Sequence, residues 1–202
     1  FLEIFKKDLE AELKFLKTQI HPHFLFNTLN NLYALTLKKS DMAPGMVLKL
    51  SELINYMLYE CKGDEVLLSK EIKFIRNYVD IEKMRYGDKL EVDIHVNGDL
   101  ADRKIAPLIL LPFVENCFKH GASEGLEQAW VKIDVDVQPD SVVFKVENNK
   151  AHGPEKGNGE GIGIQNVKRR LDLLYPGRHD LKMMKGEETF LVILSINEKE
   201  TE

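Results

Sequence analysis

Residues 16–31 read LKTQIHPHFLFNTLNN, two histidines and a proline set inside what is otherwise one long helical pattern. Apolar residues at helical spacing enter from the left at Leu2, Phe5, Leu9, Leu13, Leu16 and Ile20, and continue to the right at Phe24 or Leu25, Leu29 and Leu32. Pro22 interrupts the run where a helix tolerates it least. It deletes a backbone hydrogen bond and crowds the preceding turn, at about 3 kcal/mol unless a bend is wanted. His23 lies beside that bend. Taken alone, it reads as a solvated histidine on a kinked bundle helix; what reverses that reading lies in the second half of the chain.

With 44% hydrophobic and 30% charged residues over 202 positions, the chain can bury a core and fill one large or two small domains. A net charge of −5 and a pI of about 5.8 argue against a general nucleic-acid surface and direct nucleic-acid binding, although KRR at Lys168–Arg170 is locally basic. No run approaches the apolar length that a bilayer requires, and no signal-peptide pattern is present. The chain opens on Phe1 with the amphipathic pattern already under way, so a soluble piece of a longer protein is expected. Cys61 and Cys117 are far apart and lack metal-ligand spacing, which fits two packed thiols in a reducing compartment.

The first helix is predicted to run from Phe1 to about Lys39. SDMAPG, Ser40–Gly45, reads as a hairpin loop, and Met46, Leu50, Leu53, Ile54, Met57, Leu58 and Cys61 form a second, antiparallel helix. Two helices leave too much apolar surface bare, so the expected closure is a symmetric homodimer with a four-helix bundle. The hairpin occupies residues 1–63 and a second domain 64–202, joined through KGDEVL at Lys62–Leu67. Ser69 is expected to cap a helix ending near Tyr86–Lys89, and Leu90–Val96 alternates as a strand. Ile105–His120 reads as one apolar helix, entered through Pro107, bent by Pro112 and closed by Gly121. Trp130–Val137 with Val142–Val146, and Asp180–Met184 with Thr189–Ile196, read as hairpins. Between them lie a glycine-rich loop, Lys150–Gly161, expected to be mobile, and a helix, Gly163–Tyr175. The sum is α+β: a helical hairpin followed by an α/β sandwich, a mixed sheet with helices on one face.

Two stretches of the second domain carry chemistry. GNGEGIGIQN, Gly157–Asn166, opens a helix with glycines at 157, 159, 161 and 163; such a backbone turns its N–H groups inward at a helix N-terminus and can hold a phosphate chain. Its bland alternative is a flexible linker, against which stands the helical pattern that starts at once after Gly163. Glu115, Asn116, Lys119 and His120 fall within about a turn and a half, and Asn116 and Lys119 share a face. One neutral oxygen ligand and one cation are nearly all a water- and phosphate-bound Mg²⁺ asks of a protein. Plain solvation of a helix end is the alternative.

PHFLFN (22–27), LPFVENCFKHG (111–121), ENN (147–149, read as a turn) and GIGIQNVKRRL (161–171) together resemble the LytS-type sensor histidine kinases, in order and spacing over nearly the whole chain. The asparagine helix followed by GxG is shared by the wider GHKL group of gyrase, histidine kinase and MutL ATP-binding modules. The resemblance implies a dimerisation and histidine phosphotransfer hairpin plus an ATP-binding domain. It implies that His23 is phosphorylated, that Asn116 holds Mg²⁺, that Lys119 touches the phosphates and that Gly161 and Gly163 form the phosphate turn. His120, Asn148, Gly159 and Asn166 complete the implied ATP-binding set. Gln19 and Asn27, four residues either side of His23, share its helix face and can orient the ring or, for Asn27, a hydrolytic water. The implied partner is the receiver domain of a response regulator of the LytTR type. Membrane contact is expected only through an upstream sensor, making this the cytoplasmic part of an inner-membrane protein. Three positions depart from the pattern: Asn148 stands where Asp is usual, Lys150 replaces a glycine, and Leu111 replaces a common Gln. The competing expectation is a dimeric scaffold that keeps the fold and signals by conformation alone; a third is an ATPase that forms no phosphohistidine.

Overall fold

The structure is a computed structural model and describes residues 22–61, 63–119, 128–150 and 162–198. Gln19, His120, Gly159 and Gly161 lie outside these, as do the seam from Leu2 to Ile20, the bend expected ahead of Pro22 and nearly all of the glycine-rich loop.

Helix α1, Pro22–Leu37, carries two apolar stripes. Phe24 and Thr28 are buried and Leu25, Leu32 and Leu35 partly so, while Phe26, Leu29, Tyr33 and Leu37 remain exposed on another face. The turn after it is shorter than SDMAPG predicts. Helix α2, Met42–Asn55, already includes Met42–Gly45, because Pro44 falls in its first turn, where the missing N–H has no helical partner to lose. Its last residues run into a π-helical turn, Tyr56–Glu60. Met46, Leu50 and Leu53 of α2 are buried within the chain itself, against the helix that follows, so half of the apolar seam expected to face a second copy is already used.

Strand β1, Val66–Leu67, leads directly into helix α3, Leu68–Tyr86. The cap expected from Ser69 is absent: Leu67 holds the cap position in extended conformation without a side-chain bond, and the Leu68 N–H donates instead to the Arg103 carbonyl at 2.7 Å. The α2–α3 contact is edged by polar bonds, Lys49 Nζ to Asp80 Oδ2 at 2.6 Å and Asn77 Nδ2 to Glu52 Oε2 at 2.7 Å. Strand β2, Leu90–Asn97, follows, and the chain then turns at Gly98, whose φ of 91° and whose closeness to the Val137 carbonyl leave no room for a Cβ.

The apolar run predicted as one helix over Ile105–His120 is divided. Lys104–Ile105 form β3, paired antiparallel with β1, and helix α4 begins only at Leu111 and spans Leu111–Cys117. Pro112 sits in its first turn and bends nothing. Residues 105–114 are all buried, so the run carries no face contrast from which a helix could be told from a turn.

Strands β4, Ala129–Gln138, and β5, Ser141–Asn149, form the first hairpin. Helix α5, Ile162–Leu174, comes next, followed by the second hairpin of β6, His179–Lys185, and β7, Thr189–Asn197. The five-stranded sheet has the order β2-β4-β5-β7-β6, with β2 parallel to β4 and the other pairs antiparallel. Period-two alternation turns Val131, Ile133, Val135, Val142, Phe144, Val146, Val192 and Leu194 to one face. There they meet Ile75 and Ile81 of α3, Phe113 of α4 and Val167 and Leu171 of α5, in one core. Each fully buried side chain of this size contributes about 1.5–3 kcal/mol. A helical hairpin and a mixed-sheet sandwich with helices on one face are thus as expected.

Candidate functional site

Helix α4 sorts its residues by burial. Phe113, Val114 and Cys117 are buried, as is Phe118 just past its end, and Glu115 and Asn116 are left half-buried on the outer side, with Lys119 in the following π turn exposed. Burial pushes the Cys117 thiol well above its usual range, so it is an inert packing group. Leu111, at the start of the helix, is fully buried, a position that suits an apolar residue better than the Gln usual in the pattern.

Asn148 lies inside β5 rather than in a turn, opposite Val131 of β4 and Phe190 of β7, with its side chain fully buried. Its Nδ2 donates to the Asn149 carbonyl at 2.8 Å, and its Oδ1 has no hydrogen-bond partner among the described residues. An unmet buried acceptor costs about 1–3 kcal/mol, which a donor brought from outside the chain would offset. Asn149 is structural: its Oδ1 accepts from the Trp130 N–H at 2.7 Å and its Nδ2 donates to the Gln128 carbonyl at 2.9 Å, closing the end of β4 onto β5. The Lys150 ammonium is engaged with the Gly186 carbonyl in the β6–β7 turn at 3.3 Å.

In α5, Ile164, Val167 and Leu171 face the core, which leaves Gly163 exposed and Asn166 half-buried in the first turns. Among the described residues nothing lies within reach of a Cβ at Gly163, and its φ is not in the left-handed region. What the missing side chain leaves clear is the approach to the first N–H groups of α5. Helix α4 packs against both β5 and α5, so the elements of Asn116, Asn148 and Gly163 meet around one corner of the sandwich.

His23 and Asn27 stand in the first turns of α1, Asn27 half-buried. Between them Phe24 is buried against Tyr78 of α3, ring centroids 4.6 Å apart, and Tyr78 in turn meets Phe118 edge-on at 5.7 Å. Phe118 immediately precedes Lys119. The residues flanking His23 and those of α4 therefore share one aromatic stack.

Sequence reasoning missed Glu82, an α3 carboxyl that is 3% exposed. Burial, above all, pushes it up to about 6; Glu115 adds to the rise, and Arg85, at 3.5 Å, opposes it. Its position on the helix face of Tyr78 and Ile75 was the available signal. Among the described residues no group of His, Cys, Asp or Glu could by itself hold a metal, and no helix is long and apolar enough to cross a membrane.

A helical hairpin packed on α3 of a mixed-sheet sandwich, with an asparagine helix and a glycine-entered helix in contact with each other, is a hairpin plus GHKL-type sandwich. The fold matches the histidine kinase domain of the blue-light activated kinase EL346 from Erythrobacter litoralis with a TM-score of 0.51, at 14% identity over 87% of this chain and 94% of that one. The histidine kinase family model matches residues 11–90. The chain is 32% identical to the sensor histidine kinase BtsS of Escherichia coli K12, over 80% of its length and 29% of that protein. It is 31% identical to the sensor protein LytS of Enterococcus faecalis, over 92% of its length and again 29% of that protein. The chain is thus similar to the histidine kinase family over residues 11–90, and to sensor histidine kinases over most of its length. It spans less than a third of either of these relatives.

Proposed function

We propose that the chain is the catalytic region of a two-component sensor kinase, which binds Mg²⁺-ATP, transfers the γ-phosphoryl to His23 and hands it to an aspartate on the receiver domain of a response regulator of the LytTR type. The observation that carries this reading is the stack of Phe24, Tyr78 and Phe118, which ties the PHF segment to the helix of Asn116 and Lys119. The unmet Asn148 oxygen suits the exocyclic N–H of adenine, and the Asn148 NH₂ can turn to its ring nitrogen. The open side of Gly163 suits a phosphate chain at the mouth of α5, with Asn166 beside it and Lys119 as its cation. Gly159, Gly161 and His120 complete this set from outside the described residues.

Asn116 is the residue that would hold Mg²⁺, together with phosphate oxygens and water; the ion's contribution is to neutralise charge on the phosphates. His23 in its neutral form supplies a ring nitrogen that attacks the γ-phosphorus in line as the bond to the ADP oxygen breaks, and the displaced ring proton passes to solvent or a base. Gln19 and Asn27 hold the ring's orientation from one turn before and after. Position and charge neutralisation supply most of the acceleration in such a step.

The bare stripe of Phe26, Leu29, Tyr33 and Leu37, joined by Val47 and Leu48 of α2 and Leu58 of the π turn after it, is proposed to pair with a second copy in a four-helix bundle. The hairpin and the ATP-binding domain divide near residue 63, and the whole is proposed to be the cytoplasmic part of a membrane sensor. Radiolabelled ATP tests the reading: acid-labile label on the wild type that disappears in His23→Gln is expected. Absence of label under every nucleotide and metal condition would leave a conformational scaffold, and ATP turnover without phosphohistidine would make it an ATPase.

A further inference from the structure

Beneath the proposed nucleotide corner lies a cluster of buried charge that no step of the transfer uses. Glu71, in the first turn of α3, is fully buried, and its Oε2 accepts from the Tyr56 hydroxyl at 2.5 Å and from the Leu108 N–H at 3.0 Å. Arg170, in the middle of α5, is equally buried; its guanidinium donates to the Leu108 carbonyl at 3.2 Å and to the Pro107 carbonyl at 2.7 Å. Leu108 is thus held at both ends of its backbone, the amide by an acid and the carbonyl by a base. Its φ is 58°, a left-handed conformation that a leucine keeps only when its surroundings impose it.

Burial, the largest influence on both groups, pushes the Glu71 carboxyl up and the Arg170 guanidinium down, while the charge of each opposes the shift of the other. Glu71 Oε1 and Arg170 Nε make no hydrogen bond among the described residues. Such a pair is a poor source of stability, since packed apolar residues of the same volume would serve the core at least as well. What it supplies is position. Leu108 lies three residues ahead of α4, which carries Asn116 and is followed two residues past its end by Lys119, and Arg170 lies about two turns inside α5, whose second residue is Gly163.

We propose that Glu71 and Arg170 are positioning residues for the nucleotide site: by gripping Leu108 from both sides they fix where α4 begins relative to α5. Groups on two separate elements that must meet one ligand lose binding quickly when their spacing drifts. Tyr56, in the π turn that ends α2, brings the hairpin into the same grip. The inference rests on the ATP-binding reading above.

The test uses Arg170→Met, which keeps the apolar stem and removes both carbonyl bonds, with Arg170→Lys as the partial restoration. Calorimetry with Mg²⁺-ATP and amide hydrogen exchange on the nucleotide-free chain are the two readouts. Arg170→Met is expected to weaken Mg²⁺-ATP binding about tenfold, and to speed exchange in 108–117 and the first turn of α5 while β4, β5 and β7 stay protected. Arg170→Lys is expected to recover part of both. A folded Arg170→Met chain with wild-type affinity and unchanged exchange overturns the proposal. Should the wild type bind no Mg²⁺-ATP, the kinase reading falls, and exchange alone judges the grip: faster exchange in 108–117 supports it, unchanged exchange overturns it. If Arg170→Met does not fold, Arg170→Lys, whose single ammonium cannot reproduce the paired grip on the Pro107 and Leu108 carbonyls, takes its place under the same exchange criterion.

Discussion

Asn148→Asp exchanges an amide nitrogen for an oxygen in the middle of β5, and the two states of the site should respond in opposite directions. Without nucleotide, the variant loses the Nδ2 bond to the Asn149 carbonyl and sets two oxygens against each other in a fully buried place. The lost bond and the carbonyl left unmet together should destabilise the chain by about 2–4 kcal/mol. The new carboxyl would have its pKa raised by burial. A raised folded pKa means that stability is fully present below the unfolded pKa and is lost as pH rises through the folded value, so the deficit should be larger at pH 8 than at pH 4. With ATP bound, the adenine N6–H would meet a charged acceptor in place of a neutral one, tightening binding by about 1 kcal/mol, or roughly fivefold. Urea unfolding with and without Mg²⁺-ATP measures the first effect, and calorimetry with ATP and GTP the second. In the wild type ATP should bind better than GTP, whose O6 and N1–H invert the donor and acceptor pattern. Equal ATP and GTP affinities, or an Asn148→Asp chain no tighter for ATP and no less stable without it, would refute the assignment.

Leu29→Glu places a charge in the bare stripe of α1, where Leu29 is half exposed in a single chain, and should cost several kcal/mol of association; a dimer persisting in sedimentation at micromolar concentration would contradict the four-helix arrangement. Glu82→Gln removes a buried carboxyl held near 6. Because that value is raised, the wild type loses stability between about pH 4.5 and 6, so the variant should gain about 2 kcal/mol at pH 7 and nothing below pH 4; parallel stability–pH curves for the two proteins would dismiss the burial effect. Pro22→Ala is expected to straighten and stabilise the first helix while altering the ratio of kinase to phosphatase activity, and no change in either activity would remove the proline from the signalling path.

The sheet was legible because its strands alternate so regularly: Val142, Phe144 and Val146 against Val143 and Lys145 leave one register. Legibility failed where burial is complete on all sides. Ile105–Leu111 looks helical only because every residue is apolar, and nothing in it announces the left-handed Leu108. KRR read as a basic surface, yet Arg170 is wholly buried, since it occupies the inner face set by Val167 and Leu171 and finds carbonyls there. Met42–Gly45 read as loop from its proline and glycine, whereas a proline in a first turn is compatible with a helix. Of the proposed site, Asn116, Lys119, Asn148, Gly163 and Asn166 were assigned by motif, and the structure puts them on neighbouring elements. The grip on Leu108 was not, because it joins residues 56, 71, 108 and 170, a long-range coincidence that no local window contains.

The ring of Phe24, 8% exposed against Tyr78, also sets an energy threshold. Lifting α1 from α3 would return that ring to water at about 1.5–3 kcal/mol, with a further 0.5–1.5 kcal/mol or so for the lost ring pair. At about 3 kcal/mol, fewer than roughly one chain in a hundred would have α1 undocked at any moment. On the proposed reading, a motion that delivers less than this would leave α1 docked and one that delivers more would release it, so the burial of one phenylalanine would set a threshold. Fluorine NMR on a ring-labelled Phe24 would read the released fraction directly; a tenth or more free at rest would mean that the latch is not set.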